Sequence, residues 1–477
     1  MSQLSVRIAN GELGSIPDTD LLHLFAEAFQ TELLHLKDAN PTVESGTTTQ
    51  RDTPSGVIYG ENFDEVNRTL TSMLAVKWLL AHDYEAFTSG QSDEGKLTRR
   101  SFESLRELLL LHNRPPDGIY ALLVALSIDD IGKDPNLVTQ RDETLMSAIE
   151  DHSDALFHAV QQGLVPAMKT VPPNYETAIM KNLEIGSKLN ISQVVQAETT
   201  PASLIILPSQ HDQSQGFNIR AVVTLLDVAG AAGHRDSRGC VVMTERVFQS
   251  YMSTIRALDD FRTGVIPTPR ACYDQILSSR AEVLHQEGFD LLSTDIRQER
   301  ALLRLLCMGR VESKELAKEF KQAFELLPVD AKQNLVNRLN IDGIDDGIAV
   351  VPYYSPGLIS EALKASSPSR ARSVSGLVGF YAVLGCSIGR PKATDRHKQE
   401  SDRTGFVICT KHNQELSVQE GPEGFGGNKV SLDSINRSVA FESPKLLLCL
   451  MRLGIRIGVG ISVRGSFLLM RQLAVLV

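Results

Sequence analysis

The segment IYALLVALSIDDIGKDPNL, residues 119–137, contains the longest apolar run in the helical part of the sequence. Its first ten residues are almost entirely apolar, so every face of a helix formed by them would be apolar. Such a helix is stable only inside a protein core or a membrane. It ends in two adjacent carboxylates, Asp129 and Asp130. The stretch therefore predicts a core helix that carries a pair of acids at its C-terminal end.

Apolar residues three and four positions apart recur on both sides of this helix, and this spacing is typical of amphipathic α-helices. It extends from Asp18 to Leu36 and, with breaks, from Phe63 to Leu339, while strand signals are few. The sequence therefore predicts an all-α protein with a single large helical core. Helices are expected at 64–86, 100–112, 118–131, 141–162, 176–189, 217–233, 241–262, 273–291 and 296–339.

Composition changes along the chain suggest three regions. Residues 1–60 hold an N-terminal helix and loop, residues 61–365 the helical catalytic core, and residues 366–477 a low-order linker with an apolar tail. The tail carries Arg452, Arg456, Arg464 and Arg471. Charges at the centre of a bilayer are unfavourable, so no transmembrane span is expected. Either a helix lying on a membrane or a tail without catalytic importance fits this pattern.

Bulk composition narrows the class of protein. The 477 residues are 42% hydrophobic and 22% charged, which is typical of a globular protein. A net charge of -10 opposes binding to nucleic acid, which favours basic surfaces. The six cysteines show no paired spacing and are expected to be reduced, and the N-terminus lacks a secretory signal pattern. We expect a cytoplasmic protein, with a homodimer as an open alternative.

The paired acids at 129 and 130 suggest a divalent-metal site. Carboxylates at a helix C-terminus face the negative end of the helix dipole, so a positive group should offset them. Lys133 could do so alone, whereas Mg²⁺ would be better matched to oxygen ligands. Gly132 can end the helix in a left-handed conformation. Asp134, followed by proline, is either a further ligand or the cap of the next helix.

A second candidate cluster follows at residues 148–163, AIEDHSDALFHAVQQG. Asp151 and Asp154 are three residues apart and Asp154 and His158 are four apart, so each pair shares a helical face. Such a face can hold a metal ion, but it is also common on a solvated helix surface. His152 is a candidate metal ligand if the site combines histidine and aspartate.

A third candidate cluster lies at residues 218–239, NIRAVVTLLDVAGAAGHRDSRG. Asp227 interrupts an apolar helix, and the small residues 229–233 let a ligand or another backbone come close. His234 and Asp236 follow, and Arg235 and Arg238 suit a diphosphate group. A functional site and a tight helix-helix contact with a charged exit are both compatible with this pattern.

The phosphate loop G-x-x-x-x-G-K-[ST], the Rossmann glycine pattern, H-E-x-x-H and G-x-S-x-G are all absent from the sequence. This excludes P-loop kinases, dinucleotide oxidoreductases, zincins and α/β-hydrolases.

The run from Asp129 to Asp134 resembles the aspartate-rich motif of class I terpene cyclases, in particular the atypical, humulene-synthase-like fungal type. The resemblance implies an all-helical lyase of secondary metabolism that ionises a prenyl diphosphate such as farnesyl diphosphate. Asp129 and Asp130 would bind Mg²⁺, and Asp227 with Asp236 would supply the second metal motif, although the Asn, Ser and Glu expected after Asp227 are missing.

Under this resemblance, cations and aromatic rings complete the site. Lys133, Arg235 and Arg238 would assist departure of the diphosphate. The carbocation would be enclosed by an apolar wall with aromatic rings for cation-π stabilisation, drawn from Tyr120, Phe157, Phe248 and Tyr251. Plain core packing is the alternative role for these aromatic residues.

The same run is similar to the H-D-x-G-K signature of the histidine-aspartate (HD) phosphohydrolase superfamily, with Asp129 in place of the histidine. This resemblance implies a metal-dependent phosphohydrolase or oxygenase. His112, His152 and Asp227 would complete its site. A helical scaffold without catalysis is the third possibility.

Overall fold

The computed structural model describes most of the first 349 residues and parts of the remainder. The described residues are 2–39, 53–113, 116–139, 152–207, 214–349, 355–365, 377–381, 384 and four strand segments between 407 and 458. Most of residues 366–477, including most of the arginine-containing tail, lie outside the described residues, and so does the prediction of low order there. Asp151 lies outside them as well.

The described residues form a mainly α-helical fold, which confirms the predicted class. The α-helices in chain order are α1 (Gln3–Ala9), α2 (Asp18–Ala28), α3 (Gln30–Asp38), α4 (Pro54–Tyr59), α5 (Asp64–Leu80), α6 (Tyr84–Thr88), α7 (Arg99–His112), α8 (Asp117–Ile128), α9 (Asn136–Thr139), α10 (His152–Gln161), α11 (Pro173–Lys188), α12 (Ile191–Val195), α13 (Ser214–Gly230), α14 (Glu245–Arg262), α15 (Pro269–Gln286), α16 (Arg297–Met308), α17 (Lys314–Glu325), α18 (Val329–Leu339) and α19 (Ser355–Ala365).

Short 3₁₀ helices and a small sheet complete the described elements. The 3₁₀ helices are Leu13–Ser15, Asp93–Gly95, Ile131–Lys133, Pro166–Thr170 and Pro201–Ile206. The strands are β1 (Val407–Lys411), β2 (Glu415–Gln419), β3 (Val430–Ser431) and β4 (Arg456–Gly458), in the order β3-β2-β1-β4. β1 pairs antiparallel with β2 and parallel with β4.

The chain divides into two compact units. Unit 1 comprises Met1–Val195 and Ser203–Ile276, and unit 2 comprises Gln196–Ala202 and Leu277–Val477. In unit 2, the guanidinium groups of Arg300 and Arg304 on α16 are fully buried. Arg304 donates hydrogen bonds to the carbonyl oxygens of Leu339 (2.8 Å) and Thr199 (2.9 Å), so it ties the C-terminal end of α18 to the segment 196–202.

The core of unit 1 is built around α8, and every residue of this helix from Gly118 to Ile128 is buried. This confirms the core position expected from its apolar sequence. Helices α5, α11 and α13 pack around it. Each fully buried leucine, valine or isoleucine contributes about 1.5–3 kcal/mol relative to an exposed position. Because α8 is central, the acids at its end are held against the neighbouring helices.

Two glycines at the end of α13 let it approach α5 closely. A Cβ atom at Gly230 would overlap Ser72 and the carbonyl oxygen of Arg68, and one at Gly233 would lie 2.6 Å from the carbonyl oxygen of Asn67. The small residues of the third cluster therefore form a tight helix-helix contact, one of the two interpretations of their pattern. This contact fixes the position of Asp227, one turn earlier on α13.

Replacing Gly230 with alanine should destabilise the protein by about 2–3 kcal/mol, because the added methyl group meets backbone atoms that cannot move aside. Chemical denaturation measures this change. Gly357→Ala is the matched control, since a Cβ there meets nothing within 4 Å and should leave stability within about 0.5 kcal/mol. Equal stabilities of the two variants would contradict the close packing of α5 and α13.

Candidate functional site

The acidic pair lies where α8 gives way to the 3₁₀ turn Ile131–Lys133. Gly132 in this turn does not adopt a left-handed conformation, so the predicted glycine-terminated helix end is wrong. Its role is steric instead: a Cβ atom there would overlap the carbonyl oxygen of His152. Glycine at this position lets the first turn of α10 lie directly against the end of α8.

Asp130 is paired with Lys133 of the following turn and lies near Arg68 of α5. The ammonium nitrogen of Lys133 lies 2.9 Å from Oδ2 of Asp130 and 2.8 Å from Oε2 of Glu65. Arg68, one turn after Glu65 on α5, donates a hydrogen bond to Oε1 of Glu65 at 3.1 Å. Burial opposes ionisation of Asp130, but Lys133 and Arg68 outweigh it and lower the pKa of this carboxyl group. Lys133 therefore links the end of α8 to the start of α5.

Asp129 is held by a cation from α13. The guanidinium group of Arg220 donates from Nη1 to Oδ1 of Asp129 at 2.7 Å. Gly186 on α11 makes room for this guanidinium group, because a Cβ there would lie 3.0 Å from Nη1. The positive charge predicted to compensate the acids at the C-terminal end of α8 is therefore present, and the side chains of Lys133 and Arg220 provide it.

Asp227 differs from Asp129 and Asp130 because it forms no ion pair with the described residues. No other described residue forms a hydrogen bond or an ion pair with it. Desolvation and the nearby negative charge of Asp130 raise the pKa of Asp227 to about 7, although Arg68 partly opposes the shift. Its side chain is neither fully buried nor fully exposed. Asp227 is therefore a carboxyl group that can gain or lose a proton near neutral pH.

The cluster as a whole carries more acid than base. Four carboxylates, of Glu65, Asp129, Asp130 and Asp227, face three cations, of Arg68, Lys133 and Arg220. Burial disfavours the charged forms of Arg68 and Lys133, but the surrounding carboxylates outweigh it and raise both pKa values. One negative charge remains unmatched when Asp227 is ionised.

Asp134 acts as a cap, one of its two predicted roles. Its Oδ1 accepts a hydrogen bond from the backbone N–H of Asn136 at 2.8 Å, and its Oδ2 lies 2.6 Å from Nδ1 of His35 on α3. Both carboxylate oxygens are therefore engaged, and the predicted role of Asp134 as a metal ligand gains no support from this geometry.

Of the two candidate histidines, His152 lies beside the acidic cluster and His112 does not. His152 lies beside the end of α8, and its charge acts on Asp130. His112 lies elsewhere: burial lowers its pKa, and the acid that acts on it is Asp259 of α14. Within the described parts of the chain, no three histidine, cysteine or acidic side chains are grouped so as to hold a metal ion. This includes Asp154 and His158 of the second cluster.

Arg235, Asp236 and Arg238, which follow α13, do not join the acidic cluster. Asp236 pairs with the exposed Arg238 at 2.6 Å, and Arg235 is exposed. The pairing of Asp236 with Asp227 that a second cyclase metal motif requires is therefore not formed.

The candidate aromatic residues occupy ordinary packing positions. Tyr120 donates to Oγ1 of Thr170 at 3.1 Å and stacks on Phe29, and Phe157 contacts the ring of His158. Phe248 and Tyr251 are buried on α14. These contacts are those of a packed core, the alternative role given to them from the sequence.

Sequence reasoning missed Glu65, Arg68 and Arg220. A signal was present for Arg220, since it lies seven residues before Asp227 and shares its helical face. Glu65 and Arg68 are likewise three residues apart, at the start of the mostly apolar helix α5. Charged residues on the buried face of a core helix usually have charged partners. The positions of Glu65 and Arg68 therefore indicated a partner such as the acids of α8.

Taken together, the site is a charged cluster buried in a helical core, with one unmatched carboxylate. The chain belongs to a family of unknown function, DUF6829, whose model matches residues 22–395. Neither the curated proteins nor the solved structures contain a match to the chain. Among the helices that the structure describes, none is long and apolar enough to cross a membrane.

Proposed function

We propose that this protein is a phosphohydrolase whose acidic cluster resembles the HD arrangement and cleaves a phosphate ester or diphosphate bond. The observation that carries the proposal is the pairing of two carboxylates from different helices. Asp130 at the end of α8 and Asp227 on α13 lie close enough for the charge of one to raise the pKa of the other. The HD resemblance requires this pairing of its central aspartate with a final carboxylate. His152 lies beside the same turn, whereas His112 lies elsewhere and takes no part in the proposed site.

The proposed roles follow from charge and proton affinity. Asp227 accepts a proton from the attacking water, since a base with a pKa near 7 is suited to work at neutral pH. The water oxygen bonds to phosphorus while the bond from phosphorus to the leaving oxygen breaks, and the leaving oxygen takes up a proton from solvent. Arg68, Lys133 and Arg220 stabilise the negative charge on the phosphoryl oxygens.

Mg²⁺ is the proposed cofactor, with Asp129, Asp130 and Asp227 as its candidate ligands, although these three described side chains are not grouped to hold a metal ion as they stand. Their carboxylate oxygens match the chemistry of this ion, and Asp227 lacks a cation partner among the described side chains. As arranged, Arg220 and Lys133 occupy the other two carboxylates. Binding of the ion therefore requires that these pairs open. When bound, Mg²⁺ would polarise the phosphoryl group.

Cyclisation of farnesyl diphosphate in secondary metabolism stays a prediction, and we rank it second. A cyclase needs an apolar cavity beside its metal ions, whereas α8 is covered by packed helices along its whole length. Two cavities among the described residues, of about 280 Å³ at Phe289 and about 640 Å³ at Pro17, are lined by other elements than α8. No specific contact favours the cyclase over the hydrolase.

Phosphate release from a panel of nucleotides, phosphomonoesters and prenyl diphosphates tests the proposal. We expect release by the full-length protein in Mg²⁺, loss of release in EDTA, and a decrease of about 100-fold or more in Asp227→Asn, since general-base catalysis contributes about 10²–10⁴-fold. Asp236→Asn is the matched control and should retain activity, because Asp236 pairs with Arg238 outside the cluster.

The other outcomes are equally informative. A Mg²⁺-dependent hydrocarbon product from farnesyl diphosphate, lost in both aspartate variants, would replace the hydrolase with the cyclase. Absence of turnover on every substrate, together with absence of Mg²⁺ binding by calorimetry, would reject both enzymes and favour the helical scaffold.

A further inference from the structure

Two deeply buried polar groups beside the acidic cluster lack hydrogen-bond partners. The hydroxyl oxygen of Thr224 is shielded from solvent and unpaired among the described residues, and the whole residue is only 2% exposed. Nε of Arg220 is also shielded and unpaired, in a residue that is 9% exposed. A buried polar group without a partner destabilises the folded protein, so an occupant that satisfies both groups would be stabilised there.

Helix geometry directs these groups toward the acids of α8. Arg220, Thr224 and Asp227 occupy positions i, i+4 and i+7 of α13, which fall within an arc of about 60° on one helix face. Nη1 of Arg220 contacts Asp129 at 2.7 Å, and Asp227 interacts with Asp130. Thr224 lies between them along the helix, on the same face of α13 as Arg220 and Asp227.

The chemistry of the unpaired groups selects the kind of occupant. The Nε–H of a guanidinium group can only donate, and a threonine hydroxyl group can donate as well. Nε of Arg68, across the cluster on α5, is a further shielded donor without a partner among the described residues. A set of donors that includes two guanidinium groups is suited to the oxygens of a tetrahedral oxyanion.

We propose that Thr224 and Arg220 bind a phosphoryl oxygen of the substrate, with Arg68 on the opposite side, so that this part of the cluster is an oxyanion site. The inference rests on the proposed hydrolase function and names the groups that hold its substrate. Partial exposure of Asp129 and Asp227 leaves the cluster open to small ions from that side.

Inorganic phosphate is the probe, measured by calorimetry and by thermal unfolding of the full-length protein, with chloride at equal ionic strength as the control. We expect phosphate to raise the melting temperature of the wild type. Thr224→Val should bind phosphate at least tenfold more weakly while its own melting temperature is equal or higher, because valine keeps the shape and removes an unpaired hydroxyl group. Thr224→Ser, which keeps the hydroxyl group, should retain the affinity.

Equal phosphate affinity in the wild type and Thr224→Val, or no binding beyond that of chloride, would overturn the proposal. If the valine variant does not fold, Thr224→Ala is compared with Thr224→Ser, which differs from it by the hydroxyl group alone. The hydrolase and the oxyanion site can fail separately. Phosphate binding that depends on Thr224 without any turnover rejects the hydrolase, while turnover with unchanged phosphate affinity in Thr224→Val rejects the oxyanion site.

Discussion

Replacing Lys133 with methionine should lower the free energy of unfolding by about 3 kcal/mol at pH 7, because it removes one partner from a buried ionic network. The ammonium group contacts both Asp130 and Glu65, and these carboxylates are mostly buried. Methionine keeps most of the side-chain volume, so the loss reflects charge. The destabilisation should shrink as the pH falls toward 4, where the uncompensated carboxylates take up protons.

Lys181→Met is the control for this substitution. Lys181 pairs with Glu184 within α11, at 2.8 Å and nearer the surface, and such pairs contribute about 0–1 kcal/mol. Urea unfolding at pH 7 and pH 4 measures both variants. Equal, small effects of the two substitutions would show that Lys133 does not neutralise a buried cluster.

Replacing Asp227 with asparagine should stabilise the protein at pH 8 by about 2–4 kcal/mol, since each unit of pKa shift corresponds to about 1.4 kcal/mol. The pKa of Asp227 is raised from 3.8 to about 7 in the folded protein. The folded state thus binds more protons than the unfolded state between these values. Wild-type stability therefore decreases as the pH rises from about 4 to about 7 and then levels off.

The asparagine variant lacks this titration, so its advantage should be near zero at pH 4 and largest above pH 7. Unfolding curves of the two proteins at several pH values give the difference directly. Asp236→Asn should show no comparable gain, because Arg238 lowers the pKa of Asp236. A variant that is less stable than the wild type at pH 8 would mean that a cation in the folded protein compensates the charge of Asp227.

A group that destabilises the folded protein at neutral pH is a candidate for function. Hydrolysis lost in the same Asp227→Asn variant that gains stability would connect the two properties. Natural active sites often combine strain or unmatched charge with activity in this way.

The fold was predictable because its signal is local. The apolar period fixes helices such as α8 and α14, and an apolar surface on all sides fixes α8 in the core. Helix ends were less accurate where tertiary contacts decide them. The span predicted at 296–339 is three helices, and Gly132 is required by the approach of His152 rather than by a left-handed turn.

The candidate site was predictable only in part, because its partners are distant in sequence. Asp129 and Asp130 end an apolar helix and Asp227 interrupts another, and these breaks in the apolar pattern marked them. Their cations come from α5 and α13, so the neutralisation of Asp130 by Lys133 and Arg68 depends on how three helices pack. Arg238, after α13, has suitable chemistry but is exposed and pairs with Asp236. Sequence spacing alone does not reveal that pairing.

The titration of Asp227 is the most direct test of an unmatched carboxylate in this cluster. The side-chain carboxyl ¹³C resonance of labelled protein, assigned with Asp227→Asn, should show a midpoint near pH 7, and added Mg²⁺ should move it to lower pH. A midpoint near pH 4 that does not respond to Mg²⁺ would contradict both the charge imbalance and the proposed cofactor.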